Sequence, residues 1–152
     1  MTEELSEQAD RIEAEWYGAG APSPLYARPD GRIRIVLDAP ERLLTMNEAK
    51  RSHYRAWAAM TAAWRDAMHA RALYLGVPPV GGRVGVEAYP YQLGGNLADA
   101  GAHMPCVKAC VDGLRDAGVI VDDTGEHVAW VRCHCPVKAP GPGIVLELVR
   151  VS

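Results

Sequence analysis

Phenylalanine is absent from this 152-residue chain, and lysine is found only at positions 50, 108 and 138. No apolar run reaches the roughly 20 residues that a membrane-spanning helix needs. The first residues are acidic, unlike the basic start of a signal peptide. A phosphate-binding glycine loop, a dinucleotide fingerprint and internal repeats are also missing. These absences argue against a membrane protein and against the common nucleotide-binding enzymes, and we expect a cytoplasmic protein.

Charge is unevenly distributed along the chain. The net charge is −3, but residues 1–15 carry six acidic side chains and one arginine, a net of −5, so the remaining residues stand at +2. A near-neutral body with local basic surfaces permits DNA binding without indicating it. The composition, 49% hydrophobic and 23% charged, is that of a soluble protein with an ordinary core, and the length fits one such core.

The hydrophobic pattern divides the chain into two regions. Residues 1–30 combine an amphipathic helix with a linker rich in glycine and proline; the apolar stripe of that helix is Leu5, Ala9, Ile12 and Trp16. Residues 31–152 predict a mixed α+β domain, with helices packed on a small sheet.

Within the second region, alternating and helical periodicities predict the elements in turn. Thr45 and Glu48 have capping-box spacing, so a helix is expected to start at Met46 or Asn47 and to continue to about Tyr74. The other predicted elements are strands at 32–38 and 84–89, a helix from near Pro105 that Gly118 closes, and strands at 126–134 and 144–151. The last two strands are predicted to pair as a hairpin.

The segment Asp99–Asp123 concentrates side chains suited to phosphate chemistry. Its predicted helix leaves Lys108 and Asp112 as neighbours on the surface, one turn apart. A short apolar run after the helix then brings Asp122 and Asp123 side by side. Clustered carboxylates hold divalent cations, and an ammonium group stabilises charge on a phosphate. The pattern therefore favours a phosphodiester-cleaving site.

This segment resembles the RusA family of Holliday-junction resolvases. The family motif reads Asp-x-Asp-Asn-x-x-Lys, an aspartate four residues on, and then Ala-Gly-apolar-x-x-Asp-Asp. The matching residues here are Lys108, Asp112, Ala117-Gly118-Val119 and Asp122-Asp123. The first half of the motif does not match, because its two aspartates and its asparagine fall on Ala102, Met104 and Pro105. Asp99 and His103 are the nearest replacements.

The resemblance implies a RusA-like nuclease domain that forms a homodimer and nicks four-way DNA junctions by metal-dependent hydrolysis. It makes Lys108, Asp122 and Asp123 the catalytic residues. The same carboxylates, with Asp99 and His103, are the expected ligands of Mg²⁺, and the imidazole of His103 makes Mn²⁺ more competitive. Two alternatives stay open: Asp99 as a capping or loop residue, and Asp112 as the partner of Lys108 on the helix surface.

Basic residues on the long helix predict a surface that contacts branched DNA, with a solvated helix face as the alternative. Lys50, Arg51 and Arg55 are the candidate phosphate contacts. Tyr91 is the candidate for stacking on bases, and packing within the protein is the alternative. The apolar stripe of the N-terminal helix is the candidate dimer contact.

The four cysteines, Cys106, Cys110, Cys133 and Cys135, also allow two interpretations. A helix packed against a strand could gather all four as a zinc site. Their C-x3-C and C-x-C spacings are not standard for zinc, so we predict reduced core thiols.

A second functional interpretation comes from the mismatched half of the motif. Ala102 and Met104 provide no hard oxygen ligand for Mg²⁺. The chain would then be a DNA-binding or interaction protein that has the fold without the cleavage activity.

Overall fold

The computed structural model describes residues 26–27, 31–51, 53–93 and 97–151. The predicted N-terminal helix and most of the predicted linker lie outside these ranges. None of the helices within them combines the length and hydrophobicity needed to cross a membrane.

The described residues form a mixed five-stranded sheet with helices, which confirms the predicted α+β class. The strand order is β1-β5-β2-β3, and β4 pairs with the end of β2. The strands are β1 (Ile33–Asp38), β2 (Val84–Gln92), β3 (Val128–Cys133), β4 (Val137–Lys138) and β5 (Gly143–Arg150). Pro90 lies in β2 at the point where the strand next to β2 changes from β3 to β4. The N–H group that proline lacks therefore leaves no backbone hydrogen bond between strands unmade on that side.

The predicted hairpin between the last two long strands is wrong. β5 lies between β1 and β2 and is antiparallel to both, whereas β3 is parallel to β2. A parallel pair needs a crossover connection, and here helix α3 (Met104–Asp116) provides it. Strand periodicity identifies each strand, but the pairing depends on where this helix packs.

The long predicted helix is divided into α1 (Met46–Arg51) and α2 (Tyr54–Leu75). The start of α1 is as predicted, since the Glu48 backbone N–H donates to the Thr45 hydroxyl at 3.2 Å. His53 then caps α2: its backbone is extended, and its Nδ1 accepts from the Arg55 N–H at 3.2 Å. Histidine is not a usual N-cap residue, so the sequence pattern contains no signal for this division.

The core lies between one face of the sheet and the helices α2 and α3. Its largest members include Trp64 and Met68 from α2 and Val107, Val111 and Leu114 from α3. Gly118 ends α3 with a positive φ of 77°, as predicted, and the Val119 N–H returns to the Leu114 carbonyl at 3.0 Å.

The two long helices are in close contact at Gly113. A Cβ atom on this residue would lie 2.4 Å from the Arg65 carbonyl oxygen and 3.0 Å from the Met68 Cβ. The obstacle is backbone, which cannot rotate out of the way as a flexible side chain does. The absence of a side chain at Gly113 therefore sets the distance between α2 and α3.

We expect Gly113→Ala to destabilise the protein. Alanine favours a helix by up to about 1 kcal/mol over glycine, so helix propensity alone would stabilise the variant. Overpacking against α2 opposes this gain, and we expect a net loss of about 1–3 kcal/mol in the free energy of unfolding, measured by urea denaturation. Gly81→Ala is the control, since a Cβ there meets nothing within 4 Å. Equal stability of Gly113→Ala and wild type would show that the helices have room to separate.

Candidate functional site

Lys108 lies on the exposed side of α3, above a groove of about 360 Å³ between α2 and α3. Small residues, Ala58, Ala62 and Ala109, line part of this groove, and Trp57 and Arg65 line it from α2. The interaction between Lys108 and Asp112 that helix spacing allows is not formed, because no ion pair in the described part of the chain joins them. The Lys108 ammonium is therefore accessible to a partner.

Arg65 has a partner of its own. Its guanidinium donates to both carboxylate oxygens of Asp116, at 2.5 and 2.7 Å, which connects α2 to the last turn of α3. The hydrogen bond from Arg65 lowers the pKa of Asp116. This bidentate pair reinforces the helix contact next to Gly113.

Asp112, Asp122 and Asp123 surround the side chain of Arg115. The Arg115 guanidinium lies 3.9 Å from the Asp112 carboxylate, 3.4 Å from that of Asp122 and 3.7 Å from that of Asp123. The Asp123 backbone N–H also donates to Asp122 at 2.8 Å. Hydrogen bonds from the backbone and side chain of Asp123, and then the hydrogen bond and charge of Arg115, lower the pKa of Asp122, so its carboxylate is ionised at neutral pH.

The other two predicted metal ligands lie in different surroundings. His103 is buried just before α3, and its Nδ1 lies 2.9 Å from the Leu44 carbonyl oxygen, which requires the proton on Nδ1. Asp99 is exposed, and its backbone carbonyl accepts from the Ala102 N–H. His103 therefore helps to fasten the segment before α1 to the start of α3.

These positions do not fit the divalent metal that the RusA resemblance implies. Across residues 31–51, 53–93 and 97–151, no three His, Cys, Asp or Glu side chains are grouped so that they could hold a metal ion. Asp122 and Asp123 are brought together as predicted, but with Arg115 between them and Asp112. Asp99 and His103 do not complete the set.

Tyr91 is fully buried, so the prediction that it stacks on DNA bases is wrong. Its ring lies on Gly143 of the neighbouring strand, where a Cβ atom would be only 2.2 Å from it. Its hydroxyl donates to Asp38 at 2.8 Å, and burial followed by the charge of Asp38 raises its pKa. Tyr91 on β2 is paired with Gly143 on β5, and the missing side chain of Gly143 leaves the space in which the Tyr91 ring is buried.

The three predicted phosphate contacts are all exposed, at the junction of α1 and α2. The aromatic residue among them, Tyr54, was not predicted from the sequence. Tyr54 is 69% exposed, its ring stacks on His53 with centroids 4.8 Å apart, and its hydroxyl accepts from Arg55. We call this surface the basic patch; it consists of Lys50, Arg51, His53, Tyr54 and Arg55. An exposed tyrosine flanked by basic residues was the available signal.

A charged cluster lies on the face of the sheet away from the helices, and no sequence pattern predicts it. Glu87 on β2 is buried and accepts from Arg132 at 3.1 Å, while its second oxygen lies 2.5 Å from His134 Nε2. The His134 ring stacks on Tyr89, and the Arg132 guanidinium lies 4.2 Å from the Trp130 ring centre. Only the parallel pairing of β2 with β3 brings these residues together.

The cysteines are all free thiols. Cys106 and Cys110 are buried in the core, and burial raises the pKa of Cys106 to about 12. The prediction of core thiols is right for this pair and wrong for Cys135, which is exposed; Cys133 is half-buried.

We expect Tyr91→Phe to destabilise the fold, because Asp38 would lose a buried hydrogen-bond donor. The expected loss is about 1–3 kcal/mol in the free energy of unfolding, measured by urea denaturation. Tyr54→Phe removes the same hydroxyl from an exposed site and should change stability by less than about 0.5 kcal/mol. Equal effects of the two substitutions would contradict the assignment of Tyr91 to the core.

No protein-family model matches the chain, and no curated protein matches it. The comparisons therefore assign no family, and the function has to be inferred from the residues of the site and their geometry.

Proposed function

We propose that this chain is a RusA-like protein that binds branched DNA without cleaving it. The observation that carries the proposal is the state of the acidic cluster: the carboxylates of Asp112, Asp122 and Asp123 surround Arg115 instead of an open cation site. The cations of the basic patch and Lys108, in contrast, are exposed. The basic side chains that could contact DNA are thus exposed, whereas the carboxylates that could bind a metal ion are paired with Arg115.

In this proposal the basic patch contacts the sugar–phosphate backbone. Lys50, Arg51 and Arg55 neutralise phosphates, which gives affinity without sequence preference. Tyr54 offers an exposed ring for stacking on a base where a branch point leaves one unpaired. Trp57, one helical turn after Tyr54, lines the groove below Lys108, so the patch continues toward α3.

Metal-dependent cleavage stays a prediction of the alternative interpretation, in which the chain is an active resolvase as the RusA resemblance implies. It would need hard oxygen ligands, and Ala102 and Met104 supply none. We derive no cleavage step from the described residues, because they form no group that fits the metal.

Binding and cleavage are separated by one experiment on a synthetic four-way junction and a linear duplex of the same sequence. We expect the wild-type protein to retard the junction at lower concentration than the duplex, equally with Mg²⁺, Mn²⁺ or EDTA. Denaturing gels should show no nicked strands. Nicking that requires Mg²⁺ and disappears in Asp122→Asn would contradict the proposal and establish a resolvase.

The basic patch makes a quantitative prediction about salt. Each phosphate contact contributes about 0.9 to the slope of log affinity against log salt, so Arg51→Ala with Arg55→Ala should reduce the slope by about 2. Tyr54→Ala should weaken binding without changing the slope. Arg150→Ala removes an exposed cation from β5, away from the patch, and serves as the control. An equal effect of Arg150→Ala would indicate unspecific charge attraction.

A homodimer is the second part of the proposal, since a two-fold assembly matches the symmetry of a four-way junction. Leu73 and Tyr74, 60% and 76% exposed at the end of α2, offer apolar surface for such a contact. Light scattering at micromolar concentration should give twice the chain mass of 16.4 kDa. A single species of 16.4 kDa would contradict the dimer while leaving DNA binding untouched.

A further inference from the structure

We propose that the acidic N-terminal segment of this chain, residues 1–17, docks on the face of the sheet opposite α2 and α3. We call this surface the outer face; its strand side chains are Arg34, Val36, Tyr89, Tyr91, Val145 and Glu147. The inference goes beyond the proposed function and does not depend on DNA binding.

The outer face is as buried as the face that carries the core. In β1 all residues from Arg34 to Asp38 are buried, and in β5 all residues from Gly143 to Leu148 are buried. Successive residues of a strand point to opposite faces of the sheet. A sheet with one face in water shows exposed residues at alternate positions, so these unbroken runs mean that both faces are covered.

Both apolar and charged side chains are buried on the outer face. Val36 and Val145 are 4% and 1% exposed, and with Tyr91 they form an apolar cluster separate from the core. Arg34 and Glu147, each 2% exposed, lie 3.7 Å apart as an ion pair. Water would reach valines and an ion pair on an open sheet face, so other atoms must lie over these side chains.

The described part of the chain supplies little of this cover. Across residues 31–51, 53–93 and 97–151, the side chains packed against the apolar cluster are Tyr89, Val137 and Ala139, and none comes from a helix. The strand β4 lies beside the end of β2, at Tyr91, whereas the ion pair of Arg34 and Glu147 lies further along the sheet, level with Glu87.

The remaining cover belongs to the chain itself. The exposures are those of a single chain, so a second copy does not produce the burial. Outside the described ranges, residues 1–25 are the only stretch longer than three residues. The N-terminal segment is therefore the part of the chain long enough to cover the outer face.

The described chain begins at the edge of this sheet. The Arg34 N–H donates to the Tyr26 carbonyl at 2.8 Å, and Ala27 forms an antiparallel bridge with Ile33. Residues 26–27 thus run along the outer edge of β1, next to the buried ion pair. The segment that precedes them starts from the border of the outer face.

The length of the segment fits the width of the sheet. Residues 18–25 can span up to about 26 Å when extended, which leaves residues 3–17 free to reach either face. The helix predicted for residues 3–17 would be about 22 Å long. The four strands from β1 to β3 cover about 14 Å, so one such helix can cross all of them.

The chemistry of the segment fits the outer face as well. Its apolar stripe, Leu5, Ala9, Ile12 and Trp16, would gain hydrophobic contact with Val36 and Val145. Residues 1–15 carry a net charge of −5, and Arg132, 61% exposed on β3, offers an arginine at the far border of the face. Attraction to the arginine side chains favours this acidic segment over a basic one.

The test compares the full-length wild type with Trp16→Ser and Tyr17→Ser. These substitutions remove neighbouring aromatic rings, but only Trp16 belongs to the apolar stripe. We expect Trp16→Ser to lower the midpoint of urea denaturation by on the order of 1 M and Tyr17→Ser to change it little. Hydroxyl-radical footprinting locates the effect: labelling of Tyr89 should rise several-fold in Trp16→Ser, while labelling of Tyr54 on α2 stays the same.

Protein concentration separates a cover within the chain from a second copy. Labelling of Tyr89 in the wild type should be equal in dilute and concentrated protein. Two results would overturn the inference: the same behaviour of Trp16→Ser and Tyr17→Ser, or protection of Tyr89 that grows with protein concentration. If Trp16→Ser does not fold, Ile12→Ala removes less of the stripe and takes its place in the comparison. No DNA is present, so these results are independent of the junction-binding experiment.

Discussion

The close contact between α2 and α3 at Gly113 is the constraint on which the rest of the candidate site depends. Because no Cβ atom separates the helices there, the Arg65 carbonyl lies against α3, and the Arg65 side chain reaches Asp116. This contact fixes the rotation of α3 about its own axis. It turns Val107, Val111 and Leu114 into the core and leaves Lys108 and Arg115 on the outer side. The groove, the accessible ammonium and the acidic cluster all follow from that single orientation.

The second constraint is the crossover that α3 makes between β2 and β3. It places four charged residues in one row across the sheet, in the order Arg34, Glu147, Glu87 and Arg132. The two glutamates are buried on adjacent central strands, where like charges repel. Each has an arginine on an outer strand, at 3.7 Å for Glu147 and 3.1 Å for Glu87. Arg34 and Glu147 are both buried, and removing one partner of a buried pair costs more than the pair contributes, whereas Arg132 is 61% exposed. The row therefore favours the observed strand order chiefly through the buried pair.

How much of this the sequence predicts depends on whether the signal is local. Helix limits at Met46 and Gly118 follow from a capping hydroxyl and a left-handed glycine, both of which are readable from neighbouring residues. Strand pairing, the burial of Tyr91 on Gly143 and the partners of Glu87 depend on residues more than 40 positions apart, and no periodicity encodes them. The acidic cluster is an intermediate case. The proximity of Asp122 to α3 is predicted, but the direction of the Arg115 side chain is decided only when the chain turns back after the helix.

The electrostatics of that turn connect the mismatched half of the RusA motif with the matched half. Asp122 and Asp123 are adjacent, and Asp112 approaches from α3, so the turn gathers three negative charges that need a cation. Where the motif has its first aspartates, this chain has Ala102 and Met104, which give a metal ion no further oxygen ligands. The described carboxylates form no group that could hold a divalent ion, whereas Arg115 is covalently part of α3 and needs no binding from solution. A tethered cation therefore stabilises this turn at any metal concentration, and the carboxylates that the resemblance assigns to catalysis can retain a structural role in our proposal.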